Sequence, residues 1–286
     1  MAETVELTFD RAGEGGFPLL LVHGWPETRR IWARNVQPLA DAGFEVLAPD
    51  LRGFGESSLA PDGHYDLAAH AHDLKALLDR LGLDACACAG GDLGGGVIID
   101  LGLRFPGLVV RQVIFNSILP LLPDLPEIPR RTRAASDYFV RQGTDADALA
   151  AELDTPDKRR RYIATFYGSR FWASPGTFTP EDVDWHTEPF ADPDKLRAGF
   201  GNYESAFGNR PPSGKPRFFE PSPIETLVLY GPDDHVIWPD FPERAQRCFP
   251  QRVGPFVVTG AGHFLQWEQA EVLNGAVRAF LRDLPA

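Results

Sequence analysis

The chain predicts an α/β fold, a mostly parallel central sheet flanked by helices. Three observations carry that expectation. Short apolar runs alternate with helical patterns near both ends of the chain, the rhythm of βα units. The apolar segment 83–89 leads through Gly90-Gly91-Asp92-Leu93-Gly94 into Val97-Ile98-Ile99, which reads as strand, sharp turn and helix. Between 118 and 223 the strand rhythm stops. A length of 286 residues with 43% hydrophobic content is ample for a large core carrying an inserted lobe.

Taken in order, strands are expected at 5–9, 19–23, 45–48, 86–89, 113–116, 226–230 and 255–258. Helices are expected near 28–42, 67–81, 95–104, 241–248 and 267–282. Glu27 and the polar run after Pro26 start the first helix, proline being tolerated at that position. The middle stretch opens with Pro120, Pro123, Pro126 and Pro129 and closes with Pro211-Pro212-Ser213-Gly214-Lys215-Pro216. Aromatics crowd it, among them Tyr138, Phe166, Tyr167, Trp172, Phe200 and Tyr203. A structureless loop of that length inside a compact domain is improbable. The expected organisation is a helical cap, 119–223, inserted into a core made of 1–118 and 224–286.

Charge narrows the function. A formal net charge of -12 argues against nucleic-acid and anionic-membrane partners, which need basic footprints. The clusters Arg130-Arg131-Thr132-Arg133 and Lys158-Arg159-Arg160-Arg161 read as solvated helix faces. Cys86, Cys88 and Cys248 are too few and odd in number for a disulfide framework, and C-x-C before the turn reads as buried packing. His70 and His72 would point apart on a helix, so they make no metal pair, and His64, His186 and His235 read as surface or loop residues. Met1 to Glu6 shows no basic region leading into a long apolar run, and no stretch is apolar enough to span a bilayer. A soluble cytoplasmic protein without cofactor or metal, monomer or homodimer, is expected.

Four pieces bear chemistry. His23-Gly24-Trp25-Pro26-Glu27 follows the run 19–22. Asp92 occupies the middle of G-x-D-x-G. Asp233 and Asp234 follow the run 227–230, and His263 lies in Gly260-Ala261-Gly262-His263-Phe264. Glycines around Asp92 permit the close approach and unusual angles of a nucleophile elbow. A carboxylate is charged at neutral pH and needs no base before attack. It suits displacement at a saturated carbon, so the substrate moves from ester or amide towards epoxide or alkyl halide. Spacing from Gly231 favours Asp234 as the acid, although either aspartate could cap a following helix.

HGWPE, PDLRGFGES (49–57), G-x-D-x-G and the late GHF-x-Q together resemble the α/β-hydrolase-fold epoxide hydrolases and the related dehalogenases. The likeness covers both flanks of the predicted cap. Within the cap, LRAGFGNY (196–203) resembles the segment that carries a ring-opening tyrosine. The resemblance implies Asp92 as nucleophile, His263 as base and Asp234 as its orienting acid. It implies an oxyanion hole from the N–H groups of Trp25 and Leu93, and Tyr203 as acid. Tyr138 is the candidate for a second tyrosine donor, although the usual place falls nearer Ala135. The implied activity opens a small apolar epoxide to a vicinal diol through an alkyl ester on Asp92. Leu93 departs from the tryptophan that helps haloalkane dehalogenases hold halide, and Trp25 stands where many of those have asparagine. Dehalogenation and non-catalytic binding of a small molecule are the alternative readings.

Overall fold

The computed structural model describes residues 5–122, 138–215 and 217–284. The sheet consists of β1 (Phe9–Ala12), β2 (Phe17–Val22), β3 (Phe44–Pro49), β4 (Cys86–Gly91), β5 (Val109–Ser117), β6 (Glu225–Tyr230) and β7 (Arg252–Val257). They lie in the order β1-β3-β2-β4-β5-β6-β7. Only β1 runs antiparallel, against β3. Residues 19–22 of β2 and 86–89 of β4 are wholly buried. Strands covered on both faces read as continuous apolar runs rather than alternating ones, and their register sets Leu20 beside Cys88 and Ala89 beside Val113.

The expected first strand starts too early. Val5 and Leu7 are buried and Glu6 is exposed, so the period-two pattern is present. Their backbone partners belong to a loop, however: Ser58 N–H donates to Glu6 O (2.9 Å) and Asp50 N–H to Thr8 O (2.8 Å).

The single helix expected over 28–42 is two pieces, a 3-10 turn at Arg29–Trp32 capped by the Thr28 side chain and helix α1 (Val36–Ala40). Proline in a helix interior removes a hydrogen bond and clashes with the preceding turn; the break leaves Pro38 in the opening turn of α1. Helix α2 (Leu67–Leu81) follows the expectation. Asp66 accepts from the N–H groups of Ala68 and Ala69, and Gly82 ends the helix at φ +72°, the left-handed stop that glycine adopts without steric cost. Helix α3 (Asp92–Arg104) begins directly on the elbow.

Between β5 and β6 the described chain forms α4 (Tyr138–Thr144), α5 (Ala146–Glu152), α6 (Pro156–Tyr167), α7 (Pro180–Thr187) and α8 (Pro193–Ala206). The last three share one start signal, proline in the first turn behind a capping Thr155, Thr179 or Asp192. Gly199 and Gly201 bring α8 close to the sheet domain. A Cβ added there would fall 3.1 Å from Trp25 Nε1 and 2.7 Å from Tyr65 Cδ2 respectively. Helix α9 (Phe241–Cys248) then precedes β7, and the helix expected over 267–282 is split into α10 (Leu265–Glu268) and α11 (Ala270–Leu281), Gln269 being non-helical between them.

Two surface expectations are corrected. Arg159 is buried, its guanidinium donating to Ala191 O (2.8 Å) and Leu153 O (2.9 Å), because those carbonyls at element ends need donors. His186 is buried as well, stacked on Tyr167 at 5.1 Å and edge-on to Trp267 at 4.5 Å. The run Arg130-Arg131-Thr132-Arg133, Ala135, and the prolines Pro123, Pro126 and Pro129 lie outside the described residues. Among the described residues no helix is long and apolar enough to cross a membrane.

Candidate active site

Because β4 to β7 are parallel, the loops that leave them open on one edge of the sheet, where ligands of open α/β sheets bind. Asp92 leaves β4 with φ +46°, a left-handed conformation rare for a residue with a side chain. The turn around it is tight. A Cβ on Gly94 would meet Val22 O at 2.2 Å, and one on Gly24 would meet Asp92 Cβ at 2.5 Å. The Asp92 carbonyl accepts from Ser117 Oγ at 2.7 Å, which pins the elbow to the end of β5. Asp92 is buried, 6% exposed, and its Oδ1 accepts from Trp25 N–H at 2.8 Å. Leu93 is second in α3, where backbone N–H groups have no intrahelical acceptor.

The loop that presents Trp25 is held from inside. Leu51 N–H donates to His23 Nε2 at 2.9 Å, so the His23 proton sits on Nδ1 and donates to Gly24 O at 2.8 Å. Burial pushes the His23 pKa down, consistent with a neutral ring. Glu27 accepts from Gly24 N–H at 2.6 Å and from Gln266 Nε2 at 2.9 Å. Its carboxyl is fully buried, and loss of hydration pushes its pKa up to about 7 despite those bonds.

His263 stands between two carboxylates. Its Nδ1 lies 3.1 Å from Asp234 Oδ2, and its Nε2 lies 3.3 Å from Asp92 Oδ2. The second approach is an ion-pair distance without hydrogen-bond alignment, so Nε2 is not committed to the carboxylate. Asp234 is fixed in turn, its Oδ1 accepting from Val236 N–H (2.7 Å) and Ile237 N–H (3.1 Å). Asp233 faces elsewhere and accepts from Ser174 Oγ at 2.8 Å. Burial by itself lowers the His263 pKa, but the charges of Asp234 and Asp92 outweigh it and hold the pKa well above the ordinary 6.5.

Above this row sits an aromatic wall. Tyr138 stacks on Trp25 (5.2 Å between centroids, 8° between planes), and Tyr203 meets Trp25 edge-on at 5.6 Å. Their hydroxyls are 3.3 Å apart. Desolvation first, then Tyr138 and the Asp92 charge, raises the Tyr203 pKa well above 10, so its proton stays available for donation. Among the described residues no three His, Cys, Asp or Glu side chains group as a metal site would require.

The structure thus brings Asp92, His263, Asp234, Trp25, Tyr138 and Tyr203 to one place, on loops and helices far apart in the chain. The family model described as the alpha/beta hydrolase fold matches residues 18–270. The chain belongs to that family. This α/β-hydrolase is similar to the mouse protein named epoxide hydrolase 4, at 26% identity over 95% of this chain and 75% of that one. It is also similar to the soluble epoxide hydrolase of a Corynebacterium strain, at 31% identity over 64% of this chain and 63% of the relative. Epoxide hydrolase VrEH1 from Vigna radiata superposes with a TM-score of 0.81 at 21% identity, covering 98% of this chain and 95% of that structure, a likeness of fold.

Several residues around the site were not singled out by sequence. Asn116 has φ +40° and bridges two loops, Nδ2 donating to Gly262 O (2.6 Å) and Oδ1 accepting from Gly231 N–H (2.9 Å). Glu27 and Gln266 lie inside the family-like motifs HGWPE and GHF-x-Q, which is the signal that could have found them. Trp172, Ser174 and Glu268 carry no such mark.

Proposed function

We propose that this α/β-hydrolase is an epoxide hydrolase, with residues 119–223 acting as a cap over the core of 1–118 and 224–286. The observation that carries the reading is the phenol pair of Tyr138 and Tyr203, 3.3 Å apart, packed on the ring of Trp25, whose backbone N–H holds the Asp92 carboxylate. A carboxylate is a weak nucleophile, so it opens an epoxide readily when the ring oxygen is protonated or hydrogen-bonded as it leaves, and the paired phenol hydroxyls supply that. The curated relatives named as epoxide hydrolases support the same chemistry.

Asp92 Oδ1, already bonded to Trp25 N–H, remains the carbonyl oxygen, and Oδ2 attacks the epoxide carbon. The C–O bond of the ring breaks, and its oxygen takes a proton from Tyr203, with Tyr138 hydrogen-bonded beside it. The ester is then hydrolysed. Esterification removes the Asp92 charge that helps hold the His263 imidazole protonated. The neutral ring then takes a proton from water through Nε2, the water oxygen adding to Asp92 Cγ while Asp234 holds the ring tautomer and stabilises the imidazolium. The tetrahedral oxyanion forms on Oδ1, where the N–H of Trp25 and that of Leu93 receive it, donors worth on the order of 10²-fold each. Collapse breaks Cγ–Oδ2 and releases the diol, which regains its proton from His263. The proton left on the regenerated acid returns to the phenolate of Tyr203, and the cycle closes on Asp92 as carboxylate. The aromatic wall of Trp25, Tyr138, Phe166 and Trp172 favours an apolar substrate.

Mass spectrometry of a His263→Gln variant incubated with epoxides and organohalides tests this. An adduct with the mass of a whole epoxide on the peptide containing Asp92 is the expected result. An adduct equal to substrate minus hydrogen halide makes the protein a dehalogenase. Absence of any adduct from a folded protein that is still stabilised by the ligand makes it a binder.

A further inference from the structure

The cap is bonded to the two loops that present Asp234 and His263. Trp172 O accepts from His263 N–H at 2.5 Å, and the Trp172 ring stands edge-on to the imidazole at 4.9 Å and 81°. Phe171 O accepts from His235 N–H at 3.0 Å, while Ser174 Oγ donates to Asp233. Both chain neighbours of Asp234 are therefore tied to the same short cap segment. The fit leaves no slack, since a Cβ on Gly262 would fall 2.5 Å from Trp172 O.

Glu268, the last residue of α10, closes the arrangement. Its carboxylate accepts from Gly262 N–H (2.9 Å) and Phe264 N–H (2.9 Å), the two residues that flank His263, and from Ser174 N–H of the cap (2.7 Å). Three N–H groups converging on one charged acceptor make stronger bonds than neutral ones, and they leave the backbone around His263 little freedom. We infer that Glu268, with the cap strap 171–174, is a positioning residue that aligns His263 for ester hydrolysis, so that seating of the cap governs the second half-reaction. The inference rests on the proposed epoxide hydrolase reading. Glu268 touches no reacting atom in it and acts only through the backbone at 262 and 264.

The test separates the half-reactions in the full chain. Glu268→Gln keeps the size of the side chain but turns one acceptor oxygen into an amide that cannot accept. With styrene oxide as probe, rapid quench and mass spectrometry follow the ester on Asp92. Displacement of a reacting group by 1 Å can cost about 10²-fold, and loss of one bond of three is expected to slow hydrolysis about tenfold. Ester then accumulates at steady state, while its rate of formation stays within about twofold of wild type. Ser174→Ala, which breaks only the bond to Asp233, should show the same signature more weakly, and it decides the matter if Glu268→Gln does not fold. Equal slowing of both half-reactions, or of neither, overturns the inference. If neither wild type nor His263→Gln forms an ester, the functional reading itself falls and takes this inference with it.

Discussion

In the proposed reaction Tyr203 is the residue on which the chemistry turns, because a carboxylate at an elbow can serve several reactions and a poised phenol serves few. Its hydroxyl is withdrawn from water, next to Tyr138 and within the field of Asp92, and each of these keeps the proton in place. Tyr203→Phe should slow ring opening by about 10²-fold and leave hydrolysis of a preformed ester unchanged, as single-turnover quench measurements would read. Tyr138 would then be the remaining donor. Tyr203 is legible in the sequence through its segment LRAGFGNY. Tyr138 carries no comparable signature, and only the packing of α4 against α8 sets its hydroxyl beside that of Tyr203.

At the scale of elements, the elbow between β4 and α3 depends on space that only glycine leaves. Gly94 faces two backbone carbonyls, Val22 O and His23 O, at 2.2 and 2.7 Å from a would-be Cβ. Neither can swing away as a flexible side chain could. Gly94→Ala should therefore destabilise by about 1–3 kcal/mol or more and displace Asp92 as well. Gly275→Ala is the control: it lies within α11, a Cβ there meets nothing within 4 Å, and alanine favours a helix by about 0.5–1 kcal/mol over glycine. Urea unfolding of both variants checks the contrast. Strands β2 to β6 were legible because covered parallel strands are runs of apolar residues. The first strand was misplaced because residues 5–8 alternate correctly but pair with a loop, and alternation does not say what lies alongside.

Glu27 ties a local motif to the stability of the whole molecule. Burial raises its pKa from 4.5 to about 7, so the folded protein keeps a proton that the unfolded chain gives up. The resulting stabilisation is fully present below about pH 4.5 and is lost as pH rises towards 7. At about 1.4 kcal/mol per unit the term is on the order of 3 kcal/mol. Glu27→Gln removes it, so the variant should lose less stability than wild type over that interval, measured by urea midpoints at a series of pH values. The same scale explains how the site assembles. Parallel strands deliver the loops after β4, β5, β6 and β7 to one edge of the sheet, and the insertion leaves between β5 and β6 and packs back over it.

The sequence by itself determined the sheet class, the elbow and the order of the acidic and histidine loops. These are local matters: apolar runs, glycine spacing and turn residues act over a few positions, and each is written where it acts. Tertiary structure alone decided that Arg159 and His186 go inside, that Asp233 turns to Ser174, and that Asn116 and Glu268 clasp the loops around the histidine. Those outcomes depend on which backbone N–H and carbonyl groups arrive beside one another after the strands have paired. Glu268 and Ser174 stand 94 positions apart in the chain, and no local pattern records that one will hold the other.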